Sequence, residues 1–496
     1  MTTPILPSRP QRLATAPAFD ALFGALFGAL PGALFGAFGL SVAIGLSGCA
    51  DLSVPRALRI ASAATSHTLC SSTFISGLPA DQAWREEVRP EPGMGLIAWG
   101  MRYHVDGQRQ EVNTTIAGFS HSRAVYRPGE GCLLLQPDTA VTATAAPPVQ
   151  PQPPSVEPAD TTQALPETPV APADPALRAA LAAAFADPDP AQPRQTKAVV
   201  VMHRGRLVAE AYAPGVGIHS ALSGHSVSKS VVHALIGILV RQGRLDADAP
   251  APVPEWQSAA DPRRAITPEQ LLRMDSGLPW DETAGGWDAA TRMWFDEPDM
   301  AAFAAQGQPV AAPGTEWHYS NRGLILLSRL LRDASGGNAA GVRNFAQREL
   351  FGPAGMRRVE MTFDATGTPL GSSHFYATAR DWARFGQLYL DDGMVGGRRV
   401  LPEGWVQRAR TPTLGLGYGA GFWLNQTDAG NEFGGRWGMP GAPADAYFGR
   451  GHLGQFVVIV PSRQLVLVRL GLSHRPGGEV RSVGQLVAEV LAALPP

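Results

Sequence analysis

The sequence predicts a mixed α/β protein of the α+β type: an antiparallel sheet flanked by helices, interrupted by an inserted helical subdomain and preceded by a small disulfide-closed α+β domain. Three observations carry this. β-patterned runs stand at both ends of residues 176–496, "KAVVVMHRGRLVAEAYA" near the start and "YFGRGHLGQFVVIVPSRQLVLVRLGLS" near the end. Helical patterns fill the stretch between them, and Cys70 and Cys132 bracket a set of short β-like runs upstream. A chain of 496 residues that is 45% hydrophobic and 17% charged has enough apolar surface for two or more cores.

Residues 1–49 read as a lipoprotein signal peptide. An uncharged apolar run from Ala21 to Gly48 follows Arg9 and Arg12 and ends in "AIGLSGCA". Leu46-Ser47-Gly48-Cys49 resembles the lipobox, in which small residues admit the signal peptidase and the cysteine thiol is acylated. The alternative is an uncleaved anchor, because the run is long enough to span a bilayer. Either way the remainder is exported. The expected location is the cell envelope, lipid-anchored through Cys49, with the uncharged Ala50 favouring the outer membrane and its periplasmic face.

Residues 50–136 read as the small α+β domain, with a helical opening around Ala80 to Val88 and β runs in "GLIAWGMRYHV", "EVNTTIAGFS" and "CLLLQ". In an oxidising compartment its Cys70 and Cys132 are expected to form a disulfide; two buried free thiols are the alternative. Residues 137–175 are rich in Pro, Ala and Thr, cannot form a core, and read as an extended linker. Residues 176–496 read as the larger, second domain. It opens with a helix over Ala176 to Asp187 and two β runs about His203-Arg204-Gly205. Helices follow at "ITPEQLLRM" (cap Thr267, Pro268 in the first turn), "NRGLILLSRLLRDASGG" and "TARDWARFGQLYLDDG". Two β runs about Pro461 to Gln464 and a helix from Val480 to Leu494 close it. A cleft between sheet and helical subdomain is the expected site.

Of 41 basic residues only Lys197 and Lys229 are lysine. Lys229 stands three residues after Ser226 in "GHSVSKSVVHALIGILV", so both share one face if the helix begins there. A buried ammonium loses proton affinity, and a neutral amine can take the proton of a serine hydroxyl; arginine cannot do this. Ser226 also lies at a helix N-terminus, which favours a developing anion. A serine three residues before a lysine is by itself a weak signal.

Company comes from "GTEWHYSNRGLILL". Tyr319 can relay a proton, and Asn321 can hold a substrate amide through its donor and acceptor. Taken singly, such a tyrosine packs and such an asparagine caps a helix. In "GRGHLGQFVVIV", His452 and Gly454 open a strand, Gly454 admits a close-lying ligand, and the Gln455 N–H is a candidate second oxyanion donor.

Together and in this order the three elements resemble the serine β-lactamase and penicillin-recognising superfamily, whose pattern is S-x-x-K, Y-x-N, then K-T-G or H-x-G. "LLRMDSGL" and "PGTEWHYSN" are similar to the branch holding class C β-lactamases, D-alanyl-D-alanine peptidases, β-lactamase-like esterases and 6-aminohexanoate-dimer hydrolase. The resemblance covers Ala176 to the C-terminus. It implies the β-lactamase/transpeptidase-like fold and an acyl-enzyme on Ser226, with Lys229 and Tyr319 moving protons and Asn321, His452, Gly454 and Gln455 binding substrate. One departure stands out: His452-Leu453-Gly454 has no hydroxyl in the middle. With a neutral His452, a substrate carboxylate would be poorly held, which points to short esters or uncharged amides.

A net charge of −2 without basic blocks speaks against nucleic acid, and no CxxC or HExxH spacing suggests a metal. No cofactor is expected. The partners expected are a small-molecule ester or amide and the membrane. Two alternatives remain open: a catalytically idle lipoprotein that binds peptidoglycan or another envelope component, and a D-Ala-D-Ala carboxypeptidase or weak β-lactamase.

Overall fold

The computed structural model describes residues 54–135, 165–189, 193–279, 281–282, 288–426, 438–474 and 478–495. The lipobox-like segment with Cys49 lies outside the described residues, as does most of the Pro-rich stretch. Among the described residues, no helix is long and apolar enough to cross a membrane.

Residues 54–135 begin with α1 (Val54–Phe74), a helix that the sequence reading did not anticipate. Its buried side mixes hydroxyls with apolar residues: Ser62, Thr65 and Ser66 are fully buried alongside Ile60, Ala63, Leu69 and Cys70. The hydroxyls hydrogen-bond instead of simply packing, Ser62 Oγ meeting Ser120 Oγ at 3.0 Å and Ser66 Oγ meeting Ser122 Oγ at 2.7 Å. The expected helical stretch Ala80–Val88 is present. A four-stranded antiparallel meander follows, β1 (Met101–Asp106), β2 (Glu111–Ile116), β3 (Ser120–Arg127) and β4 (Gly131–Leu135). Cys70 of α1 is bridged to Cys132 of β4 across a Cα separation of 6.2 Å, inside a small core with Leu69, Met101, Val112 and Ile116.

The second core belongs to the remainder of the chain. Asp174 caps α2 (Pro175–Phe185), which leads into the hairpin β5 (Thr196–His203) and β6 (Arg206–Tyr212). The C-terminal end of the expected linker is not a free spacer. Val170 N donates to Glu210 Oε1 at 2.8 Å and Arg380 Nη1 donates to the Pro166 carbonyl at 2.6 Å, so residues 166–170 are bound to the domain.

The middle of the chain is helical: α3 (Ser228–Arg241), α4 (Pro268–Arg273), α5 (Asn321–Ala334) and α6 (Ala379–Leu390) are its main elements. Thr267 and Gln270 form a capping box on α4, and Ser320 and Thr378 cap α5 and α6. The chain then returns through β7 (Trp423–Leu424), β8 (Tyr447–Gly451), β9 (Gln455–Val460), β10 (Leu465–Gly471) and α7 (Gly478–Ala493). Strands from both ends make one antiparallel sheet in the order β7-β8-β9-β10-β5-β6. β9, β10 and β5 are buried along their whole length, which is why they read as continuous apolar runs. α6 packs on β10, β9 and β5, while α2 pairs with α7.

Candidate active site

The turn carrying Ser226 is wedged between two pieces of structure. Leu222–Ser223 pairs with the strand Phe375–Ala377, and Gly224 N donates to the Phe375 carbonyl at 2.9 Å. A Cβ at Gly224 would lie 2.4 Å from the Trp382 ring, so glycine is required there. His225 adopts the left-handed region at φ 43°, a conformation that costs a non-glycine residue about 1–3 kcal/mol. Residues His225–Val227 form a 3-10 turn that runs into α3, leaving Ser226 partly accessible one turn before a helix N-terminus. Ser228 and Ser230 act as fasteners: Ser228 Oγ donates to the His225 carbonyl at 2.6 Å, and Ser230 Oγ donates to the Gly421 carbonyl at 2.7 Å.

Lys229 is 1% exposed. Its Nζ donates to Ser226 Oγ at 3.0 Å, Asn321 Oδ1 at 2.8 Å and the Ser372 carbonyl at 2.6 Å. The orientation of the Asn321 amide follows from its other contacts. Its Nδ2 faces carboxylate oxygens of Asp281 at 3.3 Å and Glu282 at 3.2 Å, which only accept, so Oδ1 must face the lysine. Two of the three Nζ positions are therefore pinned to acceptors that never donate. The third is shared with Ser226, and along that line alone the proton can pass either way.

Burial lowers the Lys229 pKa to about 8, against the pull of the Glu282 and Asp281 carboxylates. Roughly one amine in ten is then neutral at pH 7. Asp281 also caps α5, taking the N–H of Asn321 at 3.0 Å and of Arg322 at 2.8 Å; burial raises its own pKa to about 6.

Tyr319 completes this side. Its hydroxyl is directed toward the Ser226 side chain, and the Lys229 ammonium sits 4.8 Å from its ring centroid. Burial pushes its pKa well up, so the phenol keeps its proton. The ring is stacked on Trp423 at 5.7 Å, with Trp317 and Tyr418 behind. Asn321 differs from its expected role. Both amide protons go to Asp281 and Glu282 and Oδ1 accepts from Lys229, so it orients the base and keeps only a second lone pair on Oδ1 for a substrate.

The third element is placed differently from the sequence reading. β8 is the strand that abuts the nucleophile turn: a Cβ at Gly449 would lie 3.0 Å from Val227, and one at Gly451 would lie 2.2 Å from the Gly224 carbonyl. Gly454 and Gln455 lie past the following turn. Gly454 is at φ 84°, and its close approach is to the Arg469 guanidinium, not to a ligand. Gln455 pairs with Gly451 across the hairpin and uses its side chain on the carbonyls of His452 and Gly471 at 2.9 and 2.6 Å. Leu453 is buried at φ 60°. The signal for β8 was present in "YFGRG", where glycines at i and i+2 mark one strand face that tolerates no side chain.

His452 does face the site, its ring 5.6 Å edge-on from that of His225. It has a carboxylate partner that the sequence did not reveal. Desolvation works against its charge, but Glu91, whose Oε1 lies 2.9 Å from Nε2, outweighs this and raises its pKa above the ordinary value. Glu91 belongs to the segment before β1, so the N-terminal module supplies part of the site wall. The same segment anchors Lys197, whose Nζ donates to Glu86 Oε2 at 2.7 Å.

A beta-lactamase family model matches residues 180–492. The chain belongs to this family. The serine, the buried lysine and the tyrosine all lie within the matched stretch. Over 228 residues it is 26% identical to 6-aminohexanoate-dimer hydrolase of Paenarthrobacter ureafaciens, a match covering 43% of this chain and 56% of that enzyme. The chain thus spans little more than half the length of that relative. The fold is similar to that of a penicillin-binding protein homologue from Caulobacter crescentus, with a TM-score of 0.51 and 20% identity over 66% of this chain and 99% of the other. Among the described residues, no group of three or more His, Cys, Asp or Glu side chains is placed to hold a metal ion.

Proposed function

We propose that the protein is an envelope-anchored serine hydrolase that cleaves esters or amides through an acyl-enzyme on Ser226. The supporting observation is the Lys229 amine, pinned by Asn321 and Ser372 so that its remaining position points at Ser226 Oγ. In the first half-reaction Oγ attacks the carbonyl carbon while its proton moves to neutral Lys229. Lys229 gives that proton back as Tyr319 passes its own to the leaving amine or alkoxide, so that the phenol is reprotonated as the carbon–heteroatom bond breaks. The oxyanion is held by the Ser226 N–H at the start of the α3 turn and by the open edge of β8 at Gly449–Gly451. Water then repeats the sequence on the acyl ester and frees Ser226.

On the substrate side, His452 is already engaged by Glu91, and the buried Leu453 offers no hydroxyl. A carboxylate-bearing substrate therefore lacks a contact worth about 1.5–3 kcal/mol, roughly 10- to 150-fold in rate. Short acyl esters and linear amides fit this wall better; the likeness to an enzyme named for the 6-aminohexanoate dimer adds linear amides to the panel. Lipid attachment at Cys49 and an outer-membrane, periplasm-facing location complete the reading.

The decisive experiment is labelling by a fluorophosphonate probe, expected in the wild type and absent in Ser226→Ala. An unlabelled wild type would mean an idle binding protein. Comparing kcat/KM for p-nitrophenyl butyrate with that for nitrocefin tests the substrate class; equal values would show that the missing hydroxyl does not matter.

A further inference from the structure

Large apolar side chains that remain exposed mark contact surfaces when they cluster. The three most exposed lie together in the N-terminal module: Leu96 at 79%, Trp99 at 76% and Phe119 at 87%. Leu96 and Trp99 precede β1, and Phe119 sits in the turn between β2 and β3. The two loops are joined by the Ala117 N–H donating to the Gly100 carbonyl at 2.9 Å, and the Cβ of Ala117 is in contact range of Gly100. The loop is held rather than loose: Trp99 Nε1 donates to the Leu96 carbonyl at 3.0 Å and Arg102 Nη1 donates to the Trp99 carbonyl at 3.0 Å.

The direction of α1 places this tip relative to the incoming chain. Ser62 is level with Ser120 and Ser66 with Ser122, so the helix runs parallel to β3. The two turns before Ser62 project about 12 Å past the start of β3, toward the end where Phe119 lies. That helix start is fixed to the body of the protein by Arg59 Nε donating to Asp296 Oδ1 at 2.7 Å. Only Ala50–Ser53 separate Val54 from Cys49, and the chain between Cys49 and Val54 reaches at most about 17 Å.

We propose that the Leu96–Trp99–Phe119 tip inserts into the phospholipid bilayer to which Cys49 tethers the chain, giving the module a second, peripheral hold on the membrane. The proposal rests on the lipid-anchor reading. An indole with a polar N–H and exposed apolar neighbours suits the interfacial layer, and the exposed Arg102 beside it suits anionic headgroups. Such a hold would fix the orientation of the module on the lipid surface, which a flexible acyl tether alone cannot do.

The test uses the full chain, purified from membranes and reconstituted into vesicles of phosphatidylethanolamine and phosphatidylglycerol. With Cys70 and Cys132 bridged and Cys49 acylated, Phe119→Cys offers a single thiol for an environment-sensitive nitrobenzoxadiazole dye; Trp99→Cys repeats the measurement should the first variant be poorly produced. A blue shift and quenching by doxyl-labelled lipids are expected, several-fold stronger than at Leu414→Cys on the hydrolase body. A dye that stays open to aqueous iodide and untouched by doxyl lipids overturns the proposal. The mass of the N-terminal peptide reads acylation separately. Lipid at Cys49 with an aqueous tip leaves the anchor standing and the insertion refuted, whereas absence of lipid removes both. A blue shift without vesicles that grows with protein concentration would assign the tip to a second copy of the chain and also refute insertion.

Discussion

The two sides of Ser226 are built on opposite principles. On the Lys229 side the polar groups are matched and mostly buried: three acceptors for the ammonium and two carboxylates behind Asn321, one of which, Asp281, also caps α5. On the His452 side the imidazole is 56% exposed and its hydrogen-bond partner, Glu91, comes from 361 residues away. In the proposed mechanism the bond-making chemistry is thus fixed within the domain that carries Ser226. The recognition wall is shared with a module of its own core, and is correspondingly easier to alter.

That contrast can be broken in three places. Lys229→Arg keeps the charge and removes the transferable proton, so kcat/KM on p-nitrophenyl butyrate should fall about 1,000-fold or more. Substantial residual turnover would reduce Lys229 to an electrostatic post. Glu91→Gln, at the half-exposed pair, should lower the His452 pKa and reduce kcat/KM by no more than about five-fold, as expected of a solvent-screened interaction below about 1 kcal/mol. A loss as large as that of Lys229→Arg would erase the distinction between the two sides. The smallest effect is expected from Glu282→Gln. Glu282 raises the Lys229 pKa, so its neutralisation should lower that pKa from about 8. The limb along which kcat/KM rises with pH, as the amine deprotonates, should then move to lower pH. A limb that stays in place or moves upward would show that another group sets it.

What could be read from the sequence followed the range of the interactions. Ser226–Lys229 and Tyr319–Asn321 are local spacings whose geometry a helix and its first turn impose, and the sheet strands announced themselves by continuous burial. α1 escaped because serine and threonine share its packing face with Ile60, Ala63, Leu69 and Cys70 and break up the hydrophobic period. Asp281, Glu282 and Glu91 escaped because nothing near them in sequence marks them as partners of Asn321 or His452. The third element misled in register. Text of the H-x-G kind drew attention to Gly454 and Gln455, while the strand that meets the Ser226 turn ends three residues before Gly454, at Gly451.

The scarcity of lysine has a chemical consequence of its own. The two lysines of the chain are each less than a tenth exposed, Lys197 at 8% and Lys229 at 1%, one locked to Glu86 and the other to the catalytic network. The folded surface therefore offers next to no lysine amine to glycation, to activated-ester dyes or to lysine-directed proteases. Amine-reactive labelling becomes a readout of unfolding: lysine signal stays near zero while both side chains are covered and appears as the domain opens.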